Sequence, residues 1–250
     1  MLSYHAVSDG WPSPLAVRPA DFERQVNRLL DRGYRPTTVS EAVQGSASER
    51  VVAITFDDAY RSVATNARPL LHRLGVPATV FAVTDYTDSG ALQTWPGLAG
   101  WAEGPYAREL EPMSWDELAE LADSGWEIGS HSRSHRRLTS LDAAELAEEL
   151  TGSRQRCELV LGRPCRSLTY PYGDHDDRVV EAARAAGYVI ACTVPDALRP
   201  AYPLRWPRIG VYRDDTPFTF AAKVSPLVRR GRSTIAGPPA VRALRRARGR

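Results

Sequence analysis

Val51-Val52-Ala53-Ile54-Thr55-Phe56-Asp57-Asp58 is the stretch that decides the fold. Its first six residues are apolar or β-branched without alternation. That pattern belongs to a strand covered on both faces, as in a parallel sheet. Two acids close it. Outward from there, Val63–Leu74 carries a helical pattern ended by Gly75 and Pro77, and Ala78–Val83 reads as the next strand. The same alternation recurs along the chain. Leu2–Val7 reads as a strand. Pro19–Arg32 reads as a helix with Phe22, Val26, Leu29 and Leu30 on one face and Gly33 as its stop. Ser114 opens a helix with a capping-box partner at Glu117. Glu127–Ser130, Ser167–Tyr172, Tyr188–Val194 and Leu204–Tyr212 read as strands, separated by helices over Leu141–Leu161 and Arg178–Ala186. Residues 85–112 read as irregular, and a loop of that length is usually functional or disordered. The class is α/β with a parallel sheet, open or closed into a barrel.

The chain has 250 residues, 43% apolar and 25% charged, which excludes a disordered chain, a collagen-like repeat and a disulfide-dense miniprotein. Its length suffices for one large α/β domain with a substantial core. The net charge of +2 conceals a division. Residues 229–250 hold eight Arg and no acid, so the preceding body carries −6. Residues 1–224 are therefore read as one acidic folded body and 225–250 as a basic, flexible tail. The three cysteines, Cys157, Cys165 and Cys192, lack CxxC spacing and read as reduced, partly buried thiols. No stretch reaches the ~20 apolar residues of a membrane span. The N-terminus lacks a signal-peptide pattern, so a cytoplasmic location, peripheral to membrane at most, is expected.

Polar groups cluster at the C-terminal ends of the predicted strands, where α/β folds place their sites. Adjacent Asp57 and Asp58 reach one cavity only if the chain turns there. One then suits a cation and the other a base, while capping of the next helix by Asp58 is the plainer reading. In His131-Ser132-Arg133-Ser134-His135, a spacing of four on a helical turn brings two imidazoles to one point. Two His and a carboxylate leave coordination positions open, as in catalytic metal sites. In Thr169-Tyr170-Pro171-Tyr172-Gly173, Pro and Gly force a sharp exit from the strand, a turn able to aim a backbone N–H at an oxyanion.

TFDDAY, HSRSH and YPYG, in that order and separated by helix–strand units, resemble the polysaccharide deacetylase family (the chitooligosaccharide deacetylase-homology domain, carbohydrate esterase family 4). The resemblance covers about Leu2 to Tyr212. It implies a distorted (β/α) barrel of the glycoside hydrolase/deacetylase type. It also implies that Asp58, His131 and His135 ligate a divalent metal, with Zn²⁺ expected ahead of Co²⁺, Ni²⁺ or Mn²⁺. Asp57 becomes the general base and Tyr172 the oxyanion donor. Tyr170, Pro171, Trp206 and Arg208 are expected to line the substrate. The implied reaction removes an N-acetyl group from an N-acetylated sugar or glycan, giving acetate and a free amine.

Two family features are missing. Many members carry an arginine before PYG, where this chain has Thr169, and Arg208 or Arg205 is the candidate replacement beside Asp57. Many also supply the acid as a late His, and no His follows His175. His5, ending the first strand in Tyr4-His5-Ala6-Val7, is the candidate acid, with His175 its competitor. An early YHxV segment resembles a circularly permuted arrangement in which the first strand takes the place of the usual last one. Trp95, Trp101 and Tyr106 read equally well as sugar-stacking residues or as local anchors, and His72 as a surface residue. The partner expected is the glycan, with no specific nucleic acid and at most weak contact of the tail with anionic membrane or carrier lipid. Because every chemical residue precedes residue 213, removal of 229–250 is expected to leave the chemistry intact. A hydrolase of another small C–N amide and a non-catalytic, metal-containing glycan binder remain alternatives.

Overall fold

A computed structural model describes residues 1–45, 49–194 and 202–225. The strands are β1 (Leu2–Tyr4), β2 (Ala6–Val7), β3 (Ala16–Val17), β4 (Arg35–Thr37), β5 (Val51–Phe56), β6 (Thr79–Ala82), β7 (Glu127–Ser130), β8 (Ser167–Thr169), β9 (Ile190–Thr193), β10 (Trp206–Pro207) and β11 (Ile209–Gly210). Nine of them form one parallel sheet in the order β10-β9-β8-β7-β6-β5-β1-β11, with β4 paired to β5 beside that path. β2 and β3 make a separate parallel pair.

β10 and β11 are consecutive in the chain yet lie at opposite ends of this order. One segment, Trp206–Gly210, therefore pairs with β9 on one side and with β1 on the other and nearly closes the sheet into a barrel. The changeover falls at Arg208, whose N–H donates to Thr193 O, while the N–H of Ile209 donates to Met1 O. The single strand expected over Leu204–Tyr212 is thus split, because Trp206 and Pro207 pair with β9 whereas Ile209 and Gly210 pair with β1.

Helices cover the outside. Leu2, Tyr4, Ile54, Phe56 and Val80 pack against Phe22, Val26, Leu71 and Leu121 in the largest core cluster. The continuous apolar run of β5 fits this layered burial, since both faces of the strand are covered. The helix Pro19–Asp31 and the capped helix Trp115–Asp123 lie where the sequence places them, the latter with both capping-box bonds formed. The long helix expected over Leu141–Leu161 begins after Asp142 and contains a π-helical turn at Glu148–Gly152. A π turn at Val63–Ala67 likewise interrupts the helix leading to β6.

Among the elements that escape the sequence reading are β3, β4, and the helices Val39–Gln44 and Pro217–Val224. Each is short or follows an uninformative pattern. The Val39–Gln44 helix is anchored by Glu127, whose carboxylate accepts from Ser40 N and Ser40 Oγ at 2.8 Å and from Ser167 Oγ at 2.6 Å. The segment 85–112 is less irregular than expected, with short helices at Thr84–Ser89, Ala99–Ala102 and Ala107–Leu110. Among the described residues, no helix is long and apolar enough to cross a membrane. The expectations for the tail fall on 226–250, outside the described residues.

Candidate metal centre and its paired carboxylate

Every candidate polar group follows the C-terminal end of a parallel strand: His5 after β1, Asp57 and Asp58 after β5, His131 after β7, the Pro171 turn after β8 and Arg208 after β10. Among the described residues, five non-glycine residues adopt positive φ: Asp58 (71°), Ala59 (51°), Ser132 (64°), His135 (62°) and Tyr172 (61°). All five lie in these strand-end loops. A left-handed L-residue costs about 1–2 kcal/mol, so such conformations persist only where surroundings impose them.

The left-handed turn at Asp58 separates two neighbouring carboxylates. Asp57 meets Arg208, whose Nη1 donates to Asp57 Oδ1 at 2.7 Å and whose Nη2 donates to Oδ2 at 2.8 Å. The other N–H groups on these nitrogens donate to Thr55 Oγ1 (2.8 Å) and Thr169 Oγ1 (2.6 Å). Ser3 Oγ adds a bond to Asp57 Oδ2 at 3.2 Å. The Arg208 side chain is 1% exposed and that of Asp57 is 5% exposed. Burial alone raises the Asp57 carboxyl, but the charge and hydrogen bonds of Arg208, aided by His131 and His5, outweigh it and leave Asp57 below its ordinary range. Asp57 is an oriented anion with a fixed cation on its back.

Asp58 turns the other way. Its Oδ1 lies 3.3 Å from His131 Nε2 and 3.5 Å from His135 Nε2, and one ligand atom from each of the three residues falls within 4.8 Å of the others. All three residues are buried. Asp58 Oδ1 accepts no well-aligned hydrogen bond, which is costly for a buried anionic oxygen. Tetrahedral donors about 2.0–2.1 Å from a zinc-sized ion stand about 3.3–3.4 Å apart, close to these spacings. The residues fit a divalent metal: two imidazoles, one carboxylate and an acceptor left without a donor.

Electrostatics agree with that fit. Burial raises the Asp58 carboxyl, but the His131, His135 and His5 rings hold it well below the usual range. Burial, reinforced by His131 and only partly opposed by Asp58, pushes His135 down to about 3, so its ring is neutral at physiological pH. Burial also lowers His131, yet the two aspartates prevail and raise it. His131 Nδ1 lies 2.8 Å from Thr169 O. A carbonyl only accepts, so Nδ1 carries the proton and Nε2 faces Asp58, the arrangement that orients metal-binding imidazoles.

The two His converge by a different route from the helical turn their spacing suggests. Residues 131–135 form a non-helical loop with left-handed Ser132 and His135. Buried Glu149 shapes it by accepting from Arg133 N (3.0 Å), Ser134 N (2.9 Å) and Ser134 Oγ. Ser132 Oγ accepts from His135 N at 3.1 Å. Nothing in the local motif marks Glu149, which lies fourteen residues past His135.

Other expected residues sort as follows. His5 follows β1 level with Asp57 after the neighbouring β5, where Asp57 N donates to Tyr4 O at 3.0 Å, and it acts electrostatically on Asp57, Asp58 and His135. His175 instead stacks on Tyr170 with ring centroids 4.9 Å apart and lies 3.0 Å from Gly173 O. His72 is exposed on the helix before β6. Tyr172 is left-handed, with its ring 4.6 Å from that of His135 and the Arg137 guanidinium 4.4 Å above it. Pro171 is buried beside it.

Of the residues expected at the substrate, Arg208 and Tyr170 have other partners, and Trp206 is half-buried. Arg208 is consumed by Asp57 and the two threonines. Tyr170 is 1% exposed, in the second core cluster, with its hydroxyl donating to Leu204 O at 3.0 Å. Trp206 packs against the interior cluster of Val39, Ala53, Phe81, Ile190 and Cys192. Arg205, the other candidate beside Asp57, pairs with exposed Asp177. Of the loop aromatics, Trp101 packs between Trp11 and Tyr106, and Trp95 stacks on the His135 ring with centroids 3.9 Å apart and planes 17° apart. These are packing contacts of the site wall.

Comparison with known proteins agrees with this geometry. The family model described as polysaccharide deacetylase matches residues 44–191. The Bacillus subtilis protein YxkH is 26% identical over 198 residues, covering 77% of this chain and 63% of its own length. The poly-β-1,6-N-acetyl-D-glucosamine N-deacetylase of Staphylococcus aureus is 23% identical over 185 residues, covering 69% of this chain and 59% of its own length. The chain thus spans about three fifths of the length of these curated relatives. The solved structure of the Streptococcus pyogenes deacetylase PplD superposes with a TM-score of 0.77 at 21% identity, over 90% of this chain and 97% of that one, and shares the fold.

Proposed function

The chain belongs to the polysaccharide deacetylase family, and on that premise we propose that it is a metal-dependent hydrolase that removes N-acetyl groups from an N-acetylated amino-sugar glycan. The observation that carries this reading is the juxtaposition of a guanidinium-held carboxylate, Asp57, with a buried three-donor cation site, Asp58, His131 and His135. A glycan binder needs no ionised carboxylate locked beside its metal, and a structural metal site takes four protein ligands.

Asp58, His131 and His135 hold the cation, for which the mixed imidazole–carboxylate set suits Zn²⁺. A bound ion would supply the positive charge that polarises a carbonyl oxygen and acidifies water. Asp57 accepts the proton of the attacking water. Arg208 keeps Asp57 ionised and aims it, and the two threonines keep Arg208 in place. The left-handed turn at Tyr172 presents its backbone N–H to the amide oxygen as that oxygen becomes negative. His5, level with Asp57 at the end of the neighbouring strand β1, protonates the departing amine. The products are acetate and the free amino sugar.

The S. aureus relative, by its name, acts on poly-β-1,6-N-acetyl-D-glucosamine. We place the substrate of this chain in the same class, polymers or oligomers of N-acetylglucosamine. The test is acetate release with Zn²⁺ or Co²⁺ from β-1,6- and β-1,4-linked N-acetylglucosamine oligomers, with small acetamides and formamides alongside. Metal-dependent release from the oligomers supports the reading. Release from the small amides alone would assign the site to another C–N hydrolase.

A further inference from the structure

Something must hold Asp58 in its left-handed conformation, because its backbone sets where the carboxylate points. Residues 110–113 secure the far side of this turn. Met113 N donates to Ala59 O at 2.8 Å, Arg61 N donates to Glu111 O at 2.9 Å, and Tyr60 bridges to Pro112. On the near side one side chain reaches Asp58 itself. Gln93 Nε2 donates to the Asp58 main-chain carbonyl at 2.7 Å. Gln93 is completely buried, its N–H donates to Leu110 O, and its Oε1 has no hydrogen-bond partner. A buried glutamine with half its amide unpaired is poor packing material, since an apolar residue of that size fills the space without the penalty. The bond to Asp58 is what the residue contributes there. Two residues later, Trp95 lies flat on the His135 ring, and Tyr86 packs edge-on against its indole with centroids 5.2 Å apart. One three-residue segment thus touches two of the three cation ligands from outside the cluster.

We propose that Gln93 and Trp95 are positioning residues for the divalent-cation site: Gln93 locks the Asp58 backbone that turns its carboxylate toward the imidazoles, and Trp95 fixes the plane of the His135 ring. This rests on reading Asp58, His131 and His135 as cation ligands. Neither residue meets the ion. Each removes a freedom its ligand would lose on binding, so losing either residue raises the cost of assembling the site. Partners that orient ligands in this way are typically worth about 10–100-fold in metal affinity.

The experiment is a calorimetric Co²⁺ titration of the whole chain at fixed pH, together with thermal melting in EDTA. Gln93→Met keeps length and loses the donor. Trp95→Leu loses the flat ring, and Trp95→Phe retains one. Gln93→Met and Trp95→Leu are expected to bind Co²⁺ about tenfold or more weakly while melting within a few degrees of wild type without metal, and Trp95→Phe to recover most of the affinity. Co²⁺ should also quench tryptophan emission in the wild type, with most of that quench gone in Trp95→Phe. If Gln93→Met does not fold, the Trp95 pair decides. Wild-type affinity in both Gln93→Met and Trp95→Leu, or weakened binding matched by collapse of the metal-free melt, overturns the proposal. Failure of wild type itself to bind Co²⁺ overturns instead the cation reading beneath it.

Discussion

Asp57 and Asp58 are neighbours in the chain, equally buried, and built for opposite tasks. On the Asp57 side every oxygen has a donor and the countercharge is permanent, because Arg208 is locked by Thr55 and Thr169. On the Asp58 side an oxygen has no aligned donor and faces two imidazoles, one held neutral by burial. One carboxylate is complete within the protein; the other is complete only with a cation. What divides them is the left-handed turn at Asp58 and Ala59 that follows β5. Adjacent identical side chains acquire different chemistry when the backbone sends them into different fields.

The comparison breaks most visibly at the ligands. His131→Ala or His135→Ala should abolish stoichiometric metal binding, checked by elemental analysis after gel filtration, and with it metal-dependent acetate release. Retained metal in both would dissolve the Asp58 half of the contrast. Next in size is His5, which serves both halves electrostatically but belongs to neither. His5→Ala should lower turnover by roughly 10²–10⁴ with metal still bound, the usual worth of an acid–base group. Turnover near wild type would remove it from the mechanism.

Arg208→Met tests the other half. It leaves Asp57 buried without its cation, and breaking such a pair costs about 3–5 kcal/mol, so the chemical-denaturation midpoint should fall sharply. Arg208→Lys keeps the charge but cannot make the two-pronged contact and should fall between Met and wild type. An unchanged midpoint in Arg208→Met would mean that Asp57 is not held by charge. The smallest effect expected is at the thiols. Cys157, Cys165 and Cys192 are all buried and unbridged, and burial pushes the Cys192 thiol up to about 12. A thiol reagent should therefore react only on unfolding, without altering metal content in the native protein.

Much of this was legible beforehand. A continuous apolar strand ending in two acids pointed to a parallel sheet with chemistry at its C-terminal edge, and the three short motifs met in one cavity. The residue beside Asp57 was foreseen only as a choice between Arg205 and Arg208. What decides it is that Trp206–Gly210 changes partner at Arg208, a pairing no local pattern encodes. The helical turn inferred for the two His was mistaken because a spacing of four is also met by a loop with two left-handed residues. Glu149 and Gln93, which brace the ligands, lie far along the chain in unremarkable contexts, and only tertiary packing brings them to the site. Tyr170 reads as a substrate contact because an aromatic residue near a strand end looks the same in sequence whether it faces the core or the cavity.

The division of labour between the two aspartates is tested most directly by measuring bound metal and acetate release together in Asp57→Asn and Asp58→Asn. The expected result is that Asp57→Asn keeps one equivalent of metal and loses its turnover, whereas Asp58→Asn loses both. Equal loss of metal in the two variants, or full turnover in Asp57→Asn, would contradict it.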